Sequence, residues 1–465
     1  MKRIPSPVLG ACLVSALAVA CAQPADDLAF TAPGGHSAPI VAGDPAAVAD
    51  RAVEDVTAFW RGTYPEVYGE QFRDLAGFHP YGPDTPPPPC GEPPPRYEEI
   101  ADNAFYCPFD DIIAWDEHLL IPKLNEEFGA FTVAIVIAHE FGHAIQDRAA
   151  AVDRTVDLEL QADCFAGAWT AAVVAGDAAH FSAGDVDLDR TVAGMLHIRD
   201  VPGTPPDDPY AHGSGFDRVS GFQDGFENGA ATCAGYADPT VDRRTAEIEF
   251  TDDEVATRGD MHLDDRGTGA PGLLTLVEED LNAFYGRLFD EVGEDFQPVA
   301  DLLVVDPAQD AVDCGGRARR GGDLESAALY CRDEHVVVLD GPGLVAGLNE
   351  IGDFAVASEI ARLWAVAAQT QLGVDDAAEA DLQADCLTGA WAAWTYPTGT
   401  GADRRAQSDL LTMSAGDLDE GIAGFIAYGA VTGAGDRTVF DRTSALRTGF
   451  FEGYPACEDD FGSLG

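Results

Sequence analysis

The spacing of the cysteines is the feature that most limits what this chain can fold into. Eight of its ten cysteines follow the first 21 residues and fall into two sets of four. Within each set, two cysteines stand 17 residues apart and two stand 69 or 71 residues apart. The recurrence predicts an internal duplication with disulfides inside each copy, paired as Cys90–Cys107, Cys164–Cys233, Cys314–Cys331 and Cys386–Cys457.

Other segments repeat at a similar offset. The segment ELQADCFAGAW (159–169) recurs as DLQADCLTGAW (381–391), and amphipathic helical patterns accompany both copies. Short β-prone runs occur at 112–115 and 336–339. The sequence therefore predicts an α+β fold with two homologous domains, each mainly helical with a small sheet and stabilised by disulfides. The predicted domains are residues 46–240 and 273–462, joined by an acidic linker at 241–272.

The start of the chain has a different character. Lys2 and Arg3 precede a short apolar run, and small residues stand just before Cys21, so residues 1–20 resemble a secretory signal peptide. The polar stretch 21–45 would then be a tether or linker. Plain secretion and lipid attachment at Cys21 remain alternatives, because small residues before a cysteine fit both. Either alternative predicts an exported protein, extracellular or at the cell surface. Lipid attachment at Cys21 would be its only contact with the membrane, and plain secretion predicts none.

The charge balance excludes one large class of partners. The chain has 27 Lys+Arg against 81 Asp+Glu, which gives a formal net charge of −54. Such a surface repels phosphate backbones, so nucleic-acid binding is excluded. The sequence leaves the oligomeric state open.

The chemistry is concentrated in AIVIAHEFGHAIQD, where His139, Glu140 and His143 form an H-E-x-x-H motif in a helical pattern. A spacing of four places both imidazoles on one helix face, with Glu140 beside them. Glu159 lies on the next helical pattern and supplies a third ligand, and a His₂Glu set leaves one position of a zinc ion open for catalysis. Asp163, one turn after Glu159, could accept a hydrogen bond from a liganding histidine.

The motifs HEFGH, ELQADCFAGAW, HGSGFDR (212–218) and GFQDGFENG (221–229) resemble those of the bacterial family of putative neutral zinc metallopeptidases. The resemblance covers the predicted first domain. It implies a zincin-like metallopeptidase that binds one Zn²⁺ through His139, His143 and Glu159, with Glu140 as the general base.

A further histidine, His212, lies in the loop DPYAHGSGFDR. We predict that it stabilises the oxyanion of the tetrahedral intermediate; a structural role in the loop is the alternative. Tyr210 and Arg218 are rival candidates. Arg218 has a counterpart, Arg442, in the second copy, which favours a structural ion pair for it.

The second copy retains the scaffold positions but lacks the motif. Aligning its glutamate with the motif pairs His139 with Ser358, Glu140 with Glu359 and His143 with Arg362, while Glu159 pairs with Asp381. Serine and arginine are not zinc ligands at these positions. The second domain is therefore predicted to be a metal-free pseudoenzyme that serves packing or the binding of a substrate or partner.

These observations predict an exported zinc peptidase that cleaves peptide or protein substrates with a metal-activated water and Glu140. The alternative is a non-catalytic exported or lipid-anchored binding protein whose zinc site is vestigial or structural. A structural site normally has a fourth protein ligand. The eight cysteines are assigned to disulfides, so the sequence offers no obvious fourth ligand, and we favour the enzyme.

Overall fold

The computed structural model describes residues 45–462 apart from 150–154, 207, 209, 239–244, 247, 252, 265–266, 268, 375–378, 399–404 and 430–436. The predicted signal peptide and the tether up to residue 44 lie outside the described residues. Among the helices of the described part, none is long and apolar enough to cross a membrane.

The described part of the first half contains eight helices and a three-stranded sheet. The helices are α1 (Pro45–Tyr68), α2 (Tyr97–Ile100), α3 (Leu120–Glu127), α4 (Ala130–Arg148), α5 (Thr155–Ala175), α6 (Asp185–His197), α7 (Gly215–Asn228) and α8 (Ala230–Gly235). The strands are β1 (Gly77–Tyr81), β2 (Ala104–Cys107) and β3 (Ile112–Asp116).

The second half, beginning at Leu273, has the same order of main elements. Its helices are α9 (Leu273–Val292), α10 (Ala346–Ile351), α11 (Asp353–Leu372), α12 (Ala380–Thr395), α13 (Asp417–Tyr428), α14 (Val439–Glu452) and α15 (Tyr454–Phe461). Its strands are β4 (Asp301–Val305), β5 (Ala311–Asp313), β6 (Ala318–Arg320), β7 (Ala328–Cys331) and β8 (Val336–Asp340). A 3₁₀ turn lies at Gly321–Asp323 and a π-helical turn at Gly341–Val345.

The two three-stranded sheets have one topology. In the order β1-β3-β2, the central strand β3 is parallel to β1 and antiparallel to β2, and β4-β8-β7 follows the same rule. The registers also agree, since Ala104 lies opposite Trp115 and Ala328 lies opposite Leu339. The prediction of a mainly helical α+β fold with small sheets that include 112–115 and 336–339 is confirmed.

Glycines let the main helices of each half pack closely. A Cβ atom on Gly225 of α7 would lie 1.8 Å from the carbonyl oxygen of Cys164 in α5. The equivalent Gly449 of α14 would place a Cβ atom 1.7 Å from the carbonyl oxygen of Cys386 in α12. Any side chain at either position would clash with the facing helix, so this close approach requires glycine. The helix pairs α5–α7 and α12–α14 therefore pack in the same way.

All four predicted disulfides are confirmed, with Cα–Cα distances between 4.9 and 5.8 Å. The longer disulfide of each half joins two helices, of which the second is the last helix of that half. Cys164 thereby connects α5 to α8, and Cys386 connects α12 to α15.

The predicted acidic linker contacts both halves where the structure describes it. The main-chain N–H of Ala246 donates to Asp217 in α7 at 2.7 Å. The N–H of Met261 donates to Asp353, the first residue of α11, also at 2.7 Å. These contacts anchor the connection to α7 on one side and to α11 on the other.

Candidate metal centre

The motif histidines lie on α4, a helix that is buried along most of its length. His139 and His143 are one turn apart and face α5, where Glu159 is 2% exposed. The two Nε2 atoms are 3.1 Å apart. Glu159 places Oε2 3.2 Å from Nε2 of His139 and Oε1 3.4 Å from Nε2 of His143. The structure thus brings the three predicted ligands together.

Hydrogen bonds on the outer ring nitrogens orient both imidazoles. Asp163 Oδ1 lies 2.7 Å from Nδ1 of His139, which confirms the predicted contact. Gln146 Oε1 lies 2.9 Å from Nδ1 of His143, and the Gln146 amide donates to the carbonyl oxygen of Leu158 at 2.6 Å. Acceptors at Nδ1 favour the tautomer that leaves Nε2 as a lone-pair donor to a metal.

This donor set fits zinc. Tetrahedral zinc with ligand bonds of about 2.0–2.1 Å has its ligand atoms about 3.3 Å apart, close to the observed separations. Within the part of the chain that the structure describes, the donor atoms of His139, His143 and Glu159 form one group in which all lie within 4.8 Å of one another. Three protein donors, two imidazoles and one carboxylate, are the composition of a catalytic zinc site rather than a closed structural one.

The electrostatics also favour a cation at this position. Burial opposes a charge on the His139 ring, yet the carboxylates of Asp163 and Glu159 raise its pKa to about 10. Burial also opposes ionisation of Glu159, but the neighbouring histidines hold the pKa of this carboxyl below its usual range. The two carboxylates thus favour a positive charge at His139. A zinc ion can supply this charge in place of a proton, because zinc binding releases the protons of its ligands.

Glu140 lies beside the ligands in a small cavity. The cavity is lined by apolar side chains together with ligand and polar side chains, namely Ile135, Val136, His139, Glu140, Glu159, Asp163, Met195, Ile198, His212 and Arg218. Glu140 is 3% exposed, and its burial raises the pKa of its carboxyl while the two motif histidines partly offset that rise. A raised pKa makes the carboxylate a stronger proton acceptor, which suits a general base.

His212 lines the same cavity and is buried. Asp200 holds its loop by accepting the main-chain N–H groups of His212 and Gly213 at 2.6 and 2.8 Å. The His212 Nδ1 atom lies 3.4 Å from Asp200 Oδ1 without hydrogen-bond geometry, and neither ring nitrogen has a hydrogen-bond partner among the described residues. Its ring can therefore donate to a group that enters the cavity.

The two rivals of His212 have other positions. Tyr210 is 58% exposed and does not line this cavity. Arg218 does line it, but its Nε donates to Asp163 Oδ2 at 2.9 Å and its Nη2 to Oδ1 at 3.0 Å. The predicted structural ion pair of Arg218 is thus confirmed, and sequence analysis missed that its partner is Asp163.

The register predicted for the second copy is wrong by about one helical turn. Phe131 stacks on Trp169 in the first half, and Phe354 stacks on Trp391 in the second. The Gln146 amide donates to the carbonyl oxygen of Leu158, the residue before Glu159. The Gln369 amide donates to that of Ala380, the residue before Asp381. The sequence alignment matched Glu359 with Glu140, although this match has no structural basis. The contacts between α11 and α12 determine the correct register.

In the corrected register Arg362 takes the position of His139, and Leu363 and Val366 take those of Glu140 and His143. Arg362 places Nε 3.3 Å from Asp385 Oδ1 and Nη2 3.6 Å from Asp381 Oδ1. Asp385 also accepts from Nε of Arg442 at 2.9 Å. A guanidinium thus lies between the carboxylates that correspond to Asp163 and Glu159.

The first half therefore holds three side chains that could bind a metal ion, in the combination found in zinc hydrolases. Comparison with known proteins agrees, since residues 90–236 match the family described as "putative neutral zinc metallopeptidase". An uncharacterized protein of Mycobacterium tuberculosis is 28% identical over an aligned length of 168 residues, and the match covers 30% of this chain and 55% of that protein. The uncharacterized protein YpfJ of Escherichia coli is 33% identical over an aligned length of 157 residues, and the match covers 27% of this chain and 50% of YpfJ.

The chain thus spans about half the length of the curated relatives it matches. No solved structure matches it.

Proposed function

We propose that this protein is an exported zinc-dependent peptidase with its active site in the first half. The observation that carries the proposal is the convergence of the His139 and His143 Nε2 atoms and the Glu159 carboxylate, with their separations of 3.1–3.4 Å. Glu140 lies in the same cavity. The family match of residues 90–236 supports a peptidase.

His139, His143 and Glu159 would hold the zinc. When bound there, zinc supplies a Lewis acid that polarises a carbonyl oxygen and acidifies a water molecule. Glu140 accepts the proton of the attacking water and delivers it to the leaving amine, which converts a poor leaving group into a neutral one. His212 donates a hydrogen bond to the oxygen on which negative charge develops.

Other side chains keep the ligands in place. Asp163 holds the His139 ring, and Arg218 in turn holds both oxygens of Asp163. Gln146 holds His143 and fixes the distance between α4 and the start of α5 through Leu158. Such contacts set ring orientation and ligand basicity, and their loss typically lowers metal affinity or activity about 10–100-fold.

The alternative function, a binding protein with a structural zinc, receives less support. A closed site needs a fourth protein donor, and among the described residues the group contains three. His212, which shares the cavity, lies outside that group.

We further propose that the two halves are homologous domains and that the second is a pseudoenzyme. Matching sheet registers, disulfides and glycine contacts support the homology. Arg362 supports the loss of metal binding, because a fixed positive charge in place of a ligand opposes a divalent ion. Export, with or without a lipid at Cys21, is proposed from the first 20 residues alone.

The experiment that tests this function is metal analysis of the purified protein combined with cleavage of a peptide library, with and without chelator. We expect one zinc per chain and cleavage that the chelator abolishes and added zinc restores. Cleavage that ignores the chelator would refute the zinc mechanism. Bound zinc without cleavage of any peptide would support the binding protein instead.

A further inference from the structure

The two halves meet through four helices, α6 and α7 of the first and α13 and α14 of the second. Phe216, fully buried on α7, contacts the rings of Phe450 and Phe451 at centroid distances of 5.2 and 5.6 Å. Polar bonds cross the same surface, since the Gln223 amide donates to the carbonyl oxygen of Phe440 at 2.8 Å and Arg447 donates to that of Ser220 at 2.9 Å. Aromatic contacts and hydrogen bonds therefore both cross the interface between the halves.

A buried carboxylate of the second half reaches across this interface to the first turn of α7. Asp419, on α13, is 2% exposed. Its Oδ1 accepts the N–H of Phe216 at 2.7 Å, and its Oδ2 accepts the N–H of Gly215 at 3.1 Å. Oδ2 also lies 2.8 Å from Nε of Arg199, a residue that is 4% exposed. A carboxylate at a helix N-terminus is favourable, and here a buried arginine adds to it.

Asp419 is connected to the metal site through both of its partners, the first turn of α7 and Arg199. The first connection follows α7. Arg218 lies in the turn that Asp419 caps and donates to Asp163, and Asp163 in turn binds the ring of His139. The second runs through Arg199, because the next residue, Asp200, holds the main chain of the His212 loop.

A carboxylate of the first half makes the equivalent contact with the second half and provides a control for Asp419. Asp189 of α6 accepts the N–H of Phe440 at 2.9 Å, at the first turn of α14, just as Asp419 accepts that of Phe216. Helix α14 carries Arg442, whose partner Asp385 faces Arg362 and no histidine. Asp189 is half-buried, and its burial raises the pKa of its carboxyl to about 6.

We propose that Asp419 is a positioning residue through which the second half holds α7 and the His212 loop of the first half in their active arrangement. This inference rests on the proposed function, since the active arrangement is that of a zinc peptidase. The second half then contributes to catalysis without touching zinc or substrate.

The test compares Asp419→Ala and Asp189→Ala in the full-length protein by hydrogen exchange, metal binding and kinetics. In Asp419→Ala we expect faster exchange at the amides of Gly215 and Phe216 and also at those of His212 and Gly213. We expect zinc affinity to fall about tenfold and the absorption spectrum of bound Co²⁺ to change. In Asp189→Ala, exchange should rise at Phe440, while zinc affinity and the Co²⁺ spectrum stay those of the wild type.

Kinetics separate positioning from general loss of stability. Asp419→Ala should lower kcat about tenfold and leave KM within about twofold, because a misplaced His212 weakens interactions made in the transition state. Asp419→Asn keeps an acceptor and should recover part of kcat; it also replaces the alanine variant if that one does not fold. Faster exchange confined to Gly215 and Phe216, with an unchanged Co²⁺ spectrum, would overturn the proposal.

The outcomes distinguish this proposal from the proposed function. If the wild type binds zinc but cleaves no peptide, the peptidase proposal fails, and the exchange and Co²⁺ data still decide whether Asp419 positions the site. If the wild type binds no metal, exchange at His212 and Gly213 decides alone. Equal effects of the Asp419 and Asp189 variants on the first half would contradict a directed role for Asp419.

Discussion

Two equivalent helix pairs in this molecule, α4–α5 and α11–α12, share a framework and differ in what lies between the helices. In the first pair, Asp163 and Glu159 flank His139 at 2.7 and 3.2 Å. In the second, Asp385 and Asp381 flank Arg362 at 3.3 and 3.6 Å. Both sites place a cationic group against the same two carboxylate positions. Arginine carries that positive charge without a metal, since its guanidinium stays protonated in proteins.

The two halves share a pair of buried framework contacts. Arg218 pairs with Asp163 and Arg442 with Asp385, with Nε–Oδ2 distances of 2.9 Å in both cases. The buried arginine–aspartate pair therefore occurs both with and without histidine ligands beside it. Arg362 adds a second buried cation next to Asp385, which Arg442 already pairs with.

The largest difference between the halves should follow from replacing the two equivalent residues, His139 and Arg362. His139→Ala should abolish zinc binding and reduce cleavage to the level of chelator-treated protein. Arg362→Ala should retain one zinc and full cleavage but lower the free energy of unfolding by about 1–3 kcal/mol, because the buried Asp385 keeps Arg442 but loses its second cationic partner. Zinc analysis and urea unfolding of both variants check this, and zinc loss from Arg362→Ala would contradict the assignment.

The second comparison concerns the two long disulfides. Removing either Cys164–Cys233 or Cys386–Cys457 by paired substitution to alanine should cost about 2–4 kcal/mol of unfolding free energy. Only the first should also weaken zinc binding, by about tenfold, because Cys164 follows Asp163 on the ligand-bearing helix. Zinc competition assays on the two folded variants measure the contrast. Equal zinc affinities would show that this disulfide does not support the site.

The third comparison uses the contact between α4 and α5. A Cβ atom on Gly142 would lie 2.6 Å from Cα of Ala162, so Gly142→Ala should separate the helices and cost about 1–3 kcal/mol. Zinc affinity should fall by less than about tenfold, since the ligands shift without being removed. The matched control is Ala365→Gly at the equivalent position of α11, which should cost about 1 kcal/mol and leave zinc binding unchanged.

The smallest effect on the metal site should come from acidic residues of the second half. Asp353, Asp417 and Glu420 lie close together near Asp260, and burial raises the pKa of all four carboxyls, that of Asp353 to about 7. These four groups then bind more protons in the folded protein than in the unfolded chain. Their contribution to stability is therefore largest below about pH 4 and is lost as the pH rises towards 7.

Asp353→Asn tests this pH dependence, because asparagine resembles the protonated side chain. We expect its unfolding midpoint to change less than that of the wild type between about pH 4 and 7. Its zinc content should equal that of the wild type at neutral pH. If the two proteins show parallel pH profiles, the raised pKa of Asp353 does not contribute to stability.

Much of this arrangement could be predicted from the sequence, because it depends on local spacing. The i, i+4 histidines, the following helix with Glu159 and the small sheets each leave a pattern within one segment, and the cysteine pairs were predicted from spacings that recur in the two halves. The register of α11 could not be predicted in that way, since the Phe354–Trp391 stack and the Gln369 bond depend on packing between helices. Asp419 was missed for a similar reason, because its role depends on how the two halves dock.

The central claim is that one half carries a zinc site with Glu140 as its base and the other does not. The most direct measurement is zinc content and peptide cleavage of the full-length wild type beside Glu140→Gln. We predict one zinc per chain in both proteins, with kcat about 10²–10⁴-fold lower in the variant, because an amide cannot accept the proton of the water. Two zinc ions per chain, zinc lost from the variant or turnover equal to the wild type would contradict the claim.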